Sequence, residues 1–224
     1  MEAKMAKITG KEPMERLPAK AVRLYRAVAA LIAEGADVGT LKVAQITERA
    51  GIGKGTAYAY FDTREEIIVY ALIFFMEETA KKLEEEIEEK EKFAEKMELC
   101  MDVAERQMQK GACLLCLINL LLESSEMGTL FRSILEERKK AGICQPELTC
   151  RKIIKKGIMD GEIRRELPVD YMVYVLLTKL AAYMAYMFHR KPETEQNEAG
   201  KTELSVQEFR KYLLQGILEE FQAE

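Results

Sequence analysis

Gly53-Lys54-Gly55-Thr56 places two glycines, a cation and a hydroxyl within four positions. At the start of a helix such a run leaves backbone N–H groups uncovered beside an ammonium and an O–H, all of them groups that bind phosphate oxygens. Tyr58 and Tyr60 follow within the next helical turn. Just upstream, Ala50-Gly51-Ile52 carries the signs of a tight corner: Gly51 for left-handed backbone and Ile52 as an apolar plug. Two short helices about such a corner, the second opening on phosphate-binding groups, describe a helix-turn-helix whose second helix enters the DNA major groove.

The order A-G-I-x-K-G-T-x-Y-x-Y-F over Ala50–Phe61, followed by Thr63-Arg64-Glu65-Glu66, resembles the TetR family of bacterial transcriptional regulators. The matching stretch runs over about residues 41–72. The resemblance implies an all-α fold, with an N-terminal three-helix helix-turn-helix head joined to a larger helical ligand-binding and dimerisation domain. The expected division is 1–64 for the DNA-binding head with its N-terminal arm, and 65–224 for the effector-binding and dimerisation domain. It also implies DNA contacts at Lys42, Gly53, Lys54, Gly55, Thr56, Tyr58, Tyr60 and Arg64, with Phe61 anchoring the recognition helix in the core. The implied partners are a double-stranded DNA operator, an unknown small-molecule effector and a second copy of the chain. Two departures matter. Gly53 replaces the usual serine, so a side-chain cap is missing, and Ala57 and Ala59 replace larger residues, which shifts specificity toward the lysine, the tyrosines and DNA shape.

Charge divides in the same sense. Residues 1–64 hold 11 Lys/Arg and 7 Asp/Glu, a surplus of +4, whereas the other 160 hold 23 and 31, a deficit of −8. A basic head on an acidic body directs the head to phosphates. Hydrophobic content of 48% with 32% charged residues describes a globular chain with ample core. Met1–Arg16 is charged and lacks the apolar run of a signal peptide. Tyr171–Phe188 is long enough to span a bilayer, but Thr178 and Lys179 at its centre favour a buried helix, so no membrane partner is expected. Five cysteines without framework spacing predict reduced thiols in a cytoplasmic protein.

The helical period places a core stripe of Val22, Tyr25, Val28, Ala29 and Ile32 in a first helix from Met14 or Pro18 to Glu34. Residues 1–13 read as a mobile arm. A second helix is expected over Lys42–Ala50 and a third over Lys54–Phe61. Thr63 and Glu66 form a capping box that opens a fourth, reaching about Lys90. Its first half, Ile67–Met76, is apolar on nearly every side and must be covered all round. Further helices are expected over about Phe93–Lys110, Cys113–Glu123, Thr129–Lys140, Pro146–Met159, Pro168–Arg190 and Ser205–Phe221, with 192–202 as a polar loop.

Within the second domain, Met97, Met101, Met108, Cys113, Cys116, Met159 and Met172 are pliable side chains that serve a core or an adaptable pocket. The candidate effector residues are Met101, Cys116, Asn119, Glu123 and Tyr174. Ala181, Ala182 and Ala185 permit close helix approach and, with Phe209, Leu213 and Ile217, form the candidate dimer interface. Cys113-Leu-Leu-Cys116 raises two alternatives: a thiol redox-sensing repressor triggered through Cys113/Cys116, or a helical thiol oxidoreductase. Two leucines between the thiols and the absence of a preceding strand favour ordinary buried cysteines. A zinc site from Cys113, Cys116, Cys144 and Cys150 has poor spacing, so no metal and no cofactor is expected. No nucleophile–base pair stands out, which argues against an enzyme. The expectation is a homodimeric repressor released from a pseudo-palindromic operator by a small-molecule effector.

Overall fold

The computed structural model describes residues 6–109, 119–143, 146–189 and 204–223. A 3-10 turn at Met14–Arg16 leads into α1 (Ala19–Ala33), α2 (Val43–Ala50), α3 (Lys54–Tyr60) and α4 (Arg64–Glu88). They are followed by α5 (Phe93–Gln109), α6 (Glu126–Lys140), α7 (Pro146–Met159), α8 (Val169–His189) and α9 (Val206–Phe221). Residues 119–122 are also helical. Among the described residues no strand occurs, and one isolated backbone bridge pairs Ile163 with Gln222. This is the all-α architecture expected from the sequence. Most of the helix expected over Cys113–Glu123 lies outside the described residues, as do Cys113, Cys116, Cys144 and the segment 192–202.

The chain divides into two compact units, Met1–Glu78 with Lys110–Cys144, and Thr79–Gln109 with Gln145–Glu224. Helix α4 contributes residues to both. Compactness thus groups α6 with the first three helices, a grouping that differs from a simple cut at residue 64.

In the first unit α1 packs on α2 and α3. Leu24, Tyr25, Val28, Leu41, Ile46 and Phe61 are buried between them, together with Ile67–Phe74 of α4. The run Ile67–Phe74 is buried on every face, which explains why it carries no polar stripe. Phe61 is the hub: its ring lies 5.8 Å from Tyr25 and 6.2 Å from Tyr70, and Tyr25 reaches Phe74 at 5.6 Å. Phe131 and Ile134 of α6 join the same core. The N-terminal segment corrects an expectation. Instead of a mobile arm, residues 7–12 are pinned, with Ile8 buried and its N–H donating to the Tyr60 carbonyl at 2.9 Å.

The capping box at the start of α4 is half realised. The Glu66 N–H donates to Thr63 Oγ1 at 3.1 Å, while the Glu66 carboxylate accepts from the Asp62 N–H at 2.6 Å rather than from Thr63.

In the second unit α5, α7, α8 and α9 surround Met97, Met101, Ile153, Ile154, Met172, Leu176 and Ile217, all buried. Phe93 meets Phe221 at 6.3 Å. The α9 C-terminus is tied to the α7–α8 loop by Arg164 N–H to Phe221 O at 2.9 Å and Ala223 N–H to Glu162 O at 3.1 Å. Ser205 caps α9 reciprocally with Glu208.

Candidate nucleic-acid interface

Helix α2 ends on Gly51, whose φ of 61° and ψ of 41° lie in the left-handed region that only glycine enters without strain. The Ile52 N–H returns to the Thr47 carbonyl at 2.9 Å, which closes the corner. Arg23 of α1 donates to the Ala50 carbonyl at 2.6 Å, placing a cation at the negative end of α2. The corner directs α3 outward with Gly53 as its N-cap and no side chain over its start.

The faces of α3 separate cleanly. Ala57 and Tyr60 are buried, and the following Phe61 is fully so. Lys54 and Gly55 are exposed, Tyr58 is 47% exposed, and Thr56 and Ala59 are half-buried. A Cβ added at Gly53 or Gly55 would meet nothing within 4 Å, so the backbone there is open to a partner surface. Lys54 makes no hydrogen bond or ion pair among the described residues. Lys42 is exposed, and its N–H donates to Gln45 Oε1 at 2.9 Å to start α2.

Lys42, Lys54, Gly55 and Tyr58 are thus exposed on the helix-turn-helix. Tyr60 is placed otherwise: only 6% of it is exposed, and its ring packs 6.3 Å from Phe61. Arg64, expected at a phosphate, works inside the head. Its guanidinium donates to the Gly39 carbonyl at 2.8 Å and the Leu41 carbonyl at 3.2 Å, and pairs with Glu65 at 2.7 Å. It fastens the loop before α2 to the start of α4. Ala57, expected to stand where a larger side chain would read bases, is fully buried in the core of the head.

The candidate effector residues are distributed over both units. Met101 is buried in the second unit, whereas Tyr174 of the same unit is 57% exposed. Asn119 and Glu123 are both exposed in the first unit, and Cys116 lies outside the described residues. An open acidic cleft of about 480 Å³ lined by Glu89, Lys90, Glu91, Glu95, Glu98, Leu99 and Asp102 contains none of them. The thiols of Cys100 and Cys150 are buried, and desolvation pushes the first up and the second to about 12, which suppresses thiolate chemistry. Among the described residues no group of three or more His, Cys, Asp or Glu is placed to hold a metal.

The candidate dimer residues also divide. Ala182 is exposed, Ala181, Ala185 and Leu213 are half-buried, and Ile217 is fully buried, so Ile217 belongs to the unit's own core. Phe209 stacks on Tyr186 at 4.2 Å, beside Tyr183, whose hydroxyl donates to Glu105 at 2.5 Å. Arg210 pairs with that Glu105 and with Asp102, each at 2.6 Å, which locks α9 onto α5. The apolar face left outside is aromatic: Tyr171, Tyr174 and Phe188 of α8 and Tyr212 of α9 are 48–62% exposed. Their spacing on α8, off the Met172–Val173–Leu176 stripe, was the signal available in the sequence. Helix α8 is long and apolar enough to cross a membrane, and 28% of its most apolar window is buried. Lys179 at its centre is paired with Glu220 of α9 at 2.9 Å and donates to Gly216 O at 3.0 Å.

An all-α chain with a helix-turn-helix over α2 and α3, then a long α4 and further helices, has the fold of TetR-type transcriptional regulators, and three solved structures show the likeness. The regulator FadR from Bacillus subtilis in complex with stearoyl-CoA superposes with a TM-score of 0.66 at 18% identity, over 89% of this chain and 98% of that one. The ketosteroid transcriptional regulator of Mycobacterium tuberculosis gives 0.56 at 18% identity, over 93% and 98%. A TetR transcriptional regulator from Chloroflexus aurantiacus gives 0.61 at 16% identity, over 92% and 96%. No family model matches the chain, and no curated protein matches it.

Proposed function

We propose that the protein is a homodimeric DNA-binding transcriptional regulator, a repressor released from a pseudo-palindromic operator by a small-molecule effector. The observation that carries this is the open α3 face, with Lys54, Gly55 and Tyr58 exposed after a glycine corner. Residues 1–64 supply the DNA-binding function, and 65–224 supply effector binding and dimerisation. The likeness to regulators supports the reading, and the stearoyl-CoA bound to one of them supports a small molecule as effector. The methionine-rich core around Met97, Met101 and Met172 is the region of the second unit able to repack around a ligand. The uncovered aromatic face of α8 and α9 supports a second copy as its cover, and a two-fold dimer suits half-sites about 34 Å apart.

The test is a salt titration of binding to short duplexes selected by the wild-type protein from a randomised pool. Lys54→Ala should weaken binding and reduce the slope of log K against log salt by about 0.9 for each phosphate no longer neutralised. A wild-type protein that selects no duplex, or a variant with unchanged affinity and slope, refutes the reading.

A further inference from the structure

Helix α6 lies far along the chain from α3, yet a continuous set of bonds inside the first unit joins them. Arg138, near the C-terminus of α6, is 3% exposed, and its guanidinium grips the 1% exposed Glu77 of α4 through both carboxylate oxygens. Its remaining donor reaches the Gly10 carbonyl and, at 3.3 Å, the Glu12 carbonyl. Next to it Lys11 pairs with Glu137 at 2.5 Å. One end of segment 7–12 is thereby held by α6.

The other end is held by α3. Ile8 N–H donates to Tyr60 O at 2.9 Å. Lys7 Nζ donates to Tyr58 O at 2.6 Å and Phe61 O at 3.2 Å and pairs with Asp62 at 2.7 Å. These carbonyls are the last of the recognition helix, where a cation is favoured. Between the two anchors Gly10 adopts φ +77°, and a Cβ there would come within 2.6 Å of the Tyr70 ring. Only glycine lets the segment lie against α4. Burying a charged pair costs desolvation that an apolar pair would avoid, and the donors of Arg138 offset it by holding both the Glu77 carboxylate and the strap carbonyls.

We propose that residues 7–12 form a strap through which Arg138 sets the position of recognition helix α3, which makes Arg138 a positioning residue for DNA recognition although it touches no DNA. The strap gives α6 a route to the DNA-reading helix that is separate from the continuous backbone of α4. This rests on the DNA-binding reading above.

The test is a double-mutant cycle on the selected duplex. Arg138→Lys keeps a cation beside Glu77 but cannot span both the carboxylate and the Gly10 carbonyl. Gly10→Ala displaces the middle of the strap and leaves every charge in place. Each should lower affinity about 2- to 30-fold, the range of coupling transmitted through packed elements. The salt slope should stay at the wild-type value, because every side chain that meets a phosphate is retained. The double variant should be no weaker than the weaker single, since both release one strap, whereas independent effects would multiply. Unchanged affinity in either single variant, a changed salt slope, or multiplying effects overturns the proposal. If Arg138→Lys does not fold, judged by its helical circular dichroism, Lys7→Met with Gly10→Ala supplies a cycle read by the same non-additivity. Failure of the wild-type protein to select any duplex refutes the DNA-binding reading instead.

Discussion

Gly51 is the position where backbone geometry and the reading of α3 meet, and replacing it separates two contributions. Alanine at φ 61° carries the left-handed cost of about 1–2 kcal/mol, offset by about 0.4–1 kcal/mol because it also restrains the unfolded chain. Its Cβ would come within 3.0 Å of Arg23 Nη2, the nitrogen that donates to the Ala50 carbonyl at 2.6 Å. Should Arg23 move away, a charge-assisted bond worth about 1.5–3 kcal/mol is weakened or broken. Gly51→Ala should therefore destabilise the head by about 1–3 kcal/mol. Gly51→Asn presents the same Cβ to Arg23 but tolerates left-handed backbone. If the backbone dominates, Asn recovers most of the loss, and if Arg23 dominates, Asn and Ala are equal. The chain has no tryptophan, so urea unfolding is best followed by helical circular dichroism, with amide exchange at Ile46 and Ala57 reporting on the head alone. A Gly51→Ala protein within about 0.3 kcal/mol of wild type would refute the reasoning.

Two further outcomes are expected. Gly157→Ala would place a Cβ 2.6 Å from Ile163 Cδ1 and 2.9 Å from its Cγ1, an overpacking cost of about 1–3 kcal/mol, and Ile163→Val in that background should recover part of it in thermal or urea melts. The wild type should sediment as a dimer at micromolar concentration, and Tyr174→Glu with Tyr212→Glu should yield a helical monomer, because both side chains are exposed within one chain and would become buried carboxylates in the pair. A double variant that stays dimeric would place the interface elsewhere.

Local chemistry was legible. Gly51 and the apolar run of α4 each act within a few residues, and the described helices begin and end close to where the sequence predicts. Side-chain destinations set by distant partners were not. Arg64 resembles a phosphate ligand, but the carbonyls it holds, Gly39 and Leu41, lie more than twenty positions away. Tyr60 and Tyr58 have the same type and sit two apart, so the helical turn alone sends one inward and the other out. Ile217 belongs to the interface pattern by spacing, yet the α5–α9 lock turns it into the core. A single isoleucine among lysines gives no period, so the pinning of residues 7–12 left no trace in the sequence.

These internal uses narrow the meaning of the head's +4 surplus. Arg23 is spent on Ala50, Arg64 on the 39–41 loop, Lys7 on Asp62 and the end of α3, Lys11 on Glu137, and Arg49 on Glu34 at 2.5 Å. Lys42 and Lys54 are the exposed cations of the helix-turn-helix with no ion pair among the described residues. Cations already paired inside the fold release few counterions when DNA arrives. If Lys42 and Lys54 carry the binding, each protomer should contribute about −1.8 to the salt slope, far less than its count of basic residues suggests. A steeper slope would mean either that Arg16, Lys20 and Arg26, exposed elsewhere in the head, also meet phosphates, or that the paired cations open on DNA. Ala variants of the three would separate the two cases.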